Sequence, residues 1–123
     1  MSSLLVMSFT GVDLSGLNGS GAIGAVGSGS AATGGPTATL TATRSGSVVV
    51  GVGNDPDNAV GRIPGANQVL LHQHLTLTGS TFWVQAFAVT TSAAGQRITI
   101  NDTAPTGDRY NLSVVELLPR LGP

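Results

Sequence analysis

Residues 37–43 read TATLTAT, a strict two-residue alternation. No other feature of the chain restricts its fold as much. In an extended backbone successive side chains point to opposite faces, so Ala38, Leu40 and Ala42 form one face and Thr37, Thr39, Thr41 and Thr43 the other. One face is made for burial and the other is covered in hydroxyls. Helical periodicity is nearly absent elsewhere. Six further runs read as strands: Leu4–Thr10, 47–53, 68–77, 81–89, 96–101 and 110–118. The run SVVVGVG (47–53) is apolar on both faces, as a central strand would be. Thr78-Gly79-Ser80 joins two of the strands as a hairpin loop, and Ala94-Gly95 marks another turn. About seven strands divided by Gly, Asn, Asp and Pro predict an all-β fold, an antiparallel β-sandwich or jelly roll.

A chain of 123 residues suits one domain spanning 1–123. Within it the Gly/Ser-rich stretch 11–36 predicts a long surface loop, held against the sheet by Leu14, Leu17, Ile23 and Val26. Along 68–77 the alternation assigns Val69, Leu71, Leu75 and Leu77 to the core. It places Leu70, His72, His74 and Thr76 on the other face.

Charge narrows the partners. Charged residues are only 9% of the chain, against roughly 25% in ordinary soluble domains. All five basic residues are arginine, and the net charge is −1. Nothing here forms a basic stripe for phosphates or a polybasic membrane contact, so nucleic acid is not an expected partner. No segment approaches the ~20 apolar residues of a membrane helix. A surface of Thr, Ser, Asn, Gln and Gly has little long-range self-repulsion, which predicts a homo-oligomer formed through edge strands. The absence of cysteine excludes disulfides, thiolate catalysis and cysteine zinc sites. The opening MSSLLVMSFTGVDLSG has no basic leader region, so export would require a longer precursor.

No catalytic constellation emerges. GSGAIG (19–24) has Gly-x-Gly-x-x-Gly spacing, but the residues after it cannot hold the helix that a dinucleotide site needs. There is no Gly-x-Ser-x-Gly elbow. Asp55, Asp57, Asp102 and Asp108 lie in turns, where Asp is common for its own backbone hydrogen bonds, and Glu116 lies in a strand. No cofactor is expected, and two pairs are candidates for a metal. Asp55 and Asp57, in NDPDN, offer alternating oxygens for calcium. The competing reading is an Asx-turn network with Arg62 or Arg109 as counter-charge. His72 and His74 share one strand face and form a candidate transition-metal pair, which needs a further ligand brought in by folding. Two half-exposed side chains on an outer sheet face are the plainer alternative.

GVGNDPDNAVGRIPGANQVLLHQHL (51–75), FWVQAFAV (82–89) and INDTAPTGDRYNLSVVELLP (100–119) carry a resemblance. The chain is similar to a β-sandwich module of large secreted or surface-anchored bacterial proteins, found beside immunoglobulin-like and fibronectin-like domains. The likeness is strongest from 47 to 119. It implies a sandwich without catalytic residues, placed outside the cell or on a bacterial surface. In such modules the run resembling LLVMSFTGVD is an interior strand with others before it. Here it comes first, which implies either a smaller sandwich or strands supplied by a second copy. The expected function is that of a non-enzymatic structural or adhesive subunit that self-associates into a filament, surface layer or adhesin. One alternative is a carbohydrate-binding accessory module whose polysaccharide stacks on Trp83, provided that side chain is exposed. Another is a small metal-dependent enzyme built on His72 and His74.

Overall fold

The computed structural model describes residues 2–121. Eight strands form two antiparallel sheets, as the alternation predicts. The strands are β1 (Ile23–Ala31), β2 (Thr37–Thr41), β3 (Val48–Asp55), β4 (Ile63–Pro64), β5 (Gln68–Leu75), β6 (Thr81–Phe87), β7 (Arg97–Ala104) and β8 (Tyr110–Leu117). One sheet runs β1-β8-β3-β6-β5 and the other β2-β7-β4. The apolar face of TATLT behaves as its spacing requires. Ala38 and Leu40 are buried, opposite Ile100 and Ile98 of β7. On the other face Thr39 and Thr99 stand directly across from one another and share a hydroxyl hydrogen bond of 3.0 Å. The larger sheet answers with Val49, Trp83, Tyr110, Leu112 and Val114, which close the core between the sheets.

Two expectations about the first third of the chain are overturned. Leu4–Thr10 forms no strand. It has no regular secondary structure, and the first backbone pairing comes at Val12, which bridges to Pro119. The stretch 11–36 is not one long loop, because β1 occupies Ile23–Ala31. Nor do its large apolar side chains pin it down: Leu14 and Leu17 are strongly exposed, and Ile23 and Val26 are at least half exposed. β1 packs through its small residues instead. Gly27 and Gly29 face inward, where a Cβ would collide with the Thr39 and Thr37 carbonyl oxygens of β2. Ala25 and Ala31 on the same face pack on the core. The Gly/Ala positions let the two sheets approach closely along this edge.

The face assignment of β5 is also corrected. A bulge between Leu70 and His72 adds one residue to the strand, so the alternation changes phase at Leu71. Leu70 packs against the core, whereas Val69 and Leu71 lie on the outer face with the histidines. Thr76 is buried in the turn, where its hydroxyl bonds Ser80 and Thr78, and Leu77 is almost wholly exposed. Gly79, with φ +93, closes that hairpin. Among the described residues no helix is long and apolar enough to cross a membrane.

Candidate functional site

The register places Val48, Val50, Val52 and Asn54 of β3 on the outer face of the five-stranded sheet. Beside them stand Phe82, Val84 and Ala86 of β6, and Asn111, Ser113, Val115 and Leu117 of β8. β1 adds Val26, Ser28 and Ser30 at one edge, and β5 adds Val69, Leu71, His72 and His74 at the other. The five strands contain no Lys or Arg and only two acids, Asp55 and Glu116, both buried toward the interior. The outer face therefore presents valine, leucine, phenylalanine, small hydroxyls, two amides and two imidazoles, with no Asp, Glu, Lys or Arg. An antiparallel sheet with one side in water normally turns polar residues that way. This one does not.

Part of the face is covered by the chain's own first residues. Leu5 packs on the cluster of Val50, Val84 and Ala86, which it helps to bury. Met7 and Phe9 flank an apolar groove of about 490 Å³, whose floor includes Val48, Val50, Val69 and Leu71. A second groove of about 540 Å³ runs along Val26, Val50, Val52 and Val115. Even with the arm in place, Val26 is 69% exposed and Val52 56%. Apolar area left in water costs roughly 25 cal/mol per Å², so a covering surface would be favoured.

The two buried acids sit at opposite ends of the interior, because Val48 pairs with Leu117 and Asn54 with Asn111. Glu116 is fully satisfied. It accepts hydrogen bonds from the Ala25, Thr43 and Arg44 amides and from the Thr43 and Ser47 hydroxyls. Burial alone would raise its carboxyl, but these hydrogen bonds outweigh it and hold the group below the usual carboxylate range. Gly24 is required there, since a Cβ would strike the Glu116 carboxylate. Nearby Asp13 bonds the Ser15 hydroxyl, pairs with Arg44 at 2.9 Å and takes the Ser15 amide, which together bring its carboxyl down to about 2.

The far end holds Asp55, Arg62 and Asp102. Arg62 Nη2 meets Asp55 Oδ2 at 2.6 Å, with both side chains inaccessible, and the guanidinium lies 4.7 Å from the Trp83 ring centre. Trp83 Nε1 donates to Gln85 Oε1 at 2.8 Å, and the Gln85 amide goes on to Gln68 and the Asn101 carbonyl, tying the two sheets together. Asp102 is 3% exposed, and neither of its oxygens has a hydrogen-bond partner; Arg62 Nη1 also lacks one. Burial pushes the Asp102 carboxyl up to about 7, with the Gln85 amide and the Arg62 charge drawing it down by less.

The residues singled out from sequence fall into these surroundings. Asp55 is committed to Arg62 and accepts from the Asp57 and Asn58 amides, while Asp57 Oδ2 accepts from the Arg109 amide. His72 and His74 lie on the outer face opposite Val84 and Phe82, and His72 Nε2 is 2.6 Å from the Ser3 hydroxyl. Among the described residues no three of His, Asp and Glu gather as a metal-holding group. Trp83, whose exposure was the condition for stacking a sugar, is 1% exposed. Sequence reasoning missed the neutral outer face. Its signal was visible as the absence of charge from the outward positions of every strand run now in the large sheet, but it needed the strand order to become one surface. No family model, curated protein or solved structure matches the chain.

Proposed function

We propose that the protein is a non-enzymatic structural subunit that associates with a second copy of itself through the outer face of its five-stranded sheet. The observation that carries this reading is the absence of any Asp, Glu, Lys or Arg from that face, with Val26 and Val52 open beside the arm. Two sheet faces pack about 10 Å apart when their side chains interdigitate, and a face without charge meets a copy of itself without like-charge repulsion. A lipid surface is less well matched, because the five strands that make the face carry no Lys or Arg. The observations favour a homophilic contact.

Val52→Glu tests the reading. The side chain is more than half exposed, so the substitution places a charge on the face without entering the core. Self-association measured by light scattering is expected to weaken at least tenfold, about 1.4 kcal/mol, while the β-type circular dichroism spectrum stays unchanged. Undiminished association of the folded variant would overturn the assignment of this face.

A further inference from the structure

The first residues of the chain deserve a role of their own. Residues 3–9 lie along the outer sheet face, yet among the described residues none of them makes a backbone hydrogen bond to the body. Backbone attachment begins only at Gly11, whose carbonyl accepts from the Arg120 amide, and Asp13, whose amide donates to the Leu118 carbonyl. Before that point the arm is held by Leu5 in the Val50–Val84–Ala86 cluster, by Met7 and Phe9 against the groove, and by the Ser3–His72 hydrogen bond. Gly11 has φ +71, a left-handed backbone that glycine adopts without strain and from which it can reach conformations closed to other residues. Thus 3–9 can lift away as a strap without breaking one backbone hydrogen bond.

The arm is also apolar on both sides. Leu5, Met7 and Phe9 touch the sheet, whereas Leu4 and Val6 remain 82% and 79% exposed. A run that is apolar on both faces belongs between two covering surfaces. Its own sheet supplies one.

We infer that in the self-associated form residues 3–9 are exchanged, each arm lying on the second copy's sheet in the seat that its own arm occupies in the single chain. This inference rests on the proposed face-to-face association and names the element that performs it. Exchange retains every contact of the seat, and it places Leu4 and Val6 between the two faces. Gly11 supplies the turn that redirects the arm.

The chain has no cysteine, so a pair introduced at Ser3→Cys and His72→Cys reports this contact provided that neither single variant, run alongside, gives a covalent dimer. The double variant is oxidised, or joined with a short bifunctional thiol reagent. It is then run on a denaturing gel, and its native mass is measured in parallel. The expected result is a covalent dimer on the gel and a dimeric native mass. A dimeric native mass with a monomeric, internally linked chain on the gel would overturn exchange but leave the face association standing. A monomeric mass with an internal link would overturn both, and would leave the grooves to a different occupant. Failure to link in any form would show that Ser3 does not sit on His72 of either chain, which also overturns exchange.

Discussion

Asp102 and Glu116 are acids buried in the same interior with opposite consequences for stability. Glu116 is ionised and surrounded by donors, so its carboxyl is held below the ordinary 4.5. It contributes stability that is present above that value and lost as the pH falls through the lowered one. Asp102 has no partner, and its carboxyl is raised from 3.8 to about 7. Here the folded chain holds the proton more tightly than the unfolded chain. The contribution of Asp102 is therefore most favourable below pH ~4, declines as the pH rises toward ~7 and is level above it, a total of up to roughly 4 kcal/mol. Asp102→Asn removes the ionisation. We expect denaturant titrations of the variant to lose that decline and to show a gain of about 1–3 kcal/mol at pH 8. A wild-type slope in the variant would assign the decline to another group. Glu116→Gln is expected to cost about 2–4 kcal/mol at neutral pH and to flatten the acidic limb, since a charged acceptor of five hydrogen-bond donors is lost.

At the scale of the element, β1 shows what alternation means when the inward residue is glycine. Gly27 and Gly29 face the β2 carbonyls, and Ser28 and Ser30 face outward. Gly29→Val is expected to lower stability by at least 3 kcal/mol in urea titration, because the added atoms meet backbone and not a movable side chain. Ser28→Val, on the open face, should change it by less than about 1 kcal/mol. Equal effects of the two would refute the inward assignment. This strand was legible in GAVGSGSA once Gly and Ala are counted as buried residues in a two-residue pattern, but low side-chain volume reads first as a loop. The strands from β2 to β8 carried stronger signals, Thr/Ala or valine alternation bounded by turns, and they formed where the pattern predicts, apart from the two-residue β4. The face of β5 was not legible, because one extra residue at the Leu71 bulge reverses every assignment before it relative to those after. His72 and His74 kept their shared face because both follow the bulge. Asp55 with Arg62 could be guessed as an Asx turn with its counter-charge, whereas the orphaned Asp102 depends on which three strands meet at that end.

Across the whole molecule, four charged side chains are buried at the ends of the interior, and one exterior face carries none. Buried polar groups stand at the two ends of the sandwich, the satisfied Glu116 at one and the Asp55–Arg62 pair beside the unpartnered Asp102 at the other. The smaller sheet turns Thr37, Thr39, Thr41 and Thr99 outward, a hydroxyl surface suited to water. The larger sheet turns valines outward beneath an arm too narrow to cover them. Such asymmetry suits one side to solvent and, under the proposed self-association, leaves the other for a second copy. Sedimentation equilibrium over a micromolar concentration series tests this most directly. The account predicts an average mass that climbs with concentration from 12.2 kDa toward twice that value, with little dependence on salt because no charge pairs form at the face. A mass fixed at 12.2 kDa throughout the series would contradict it.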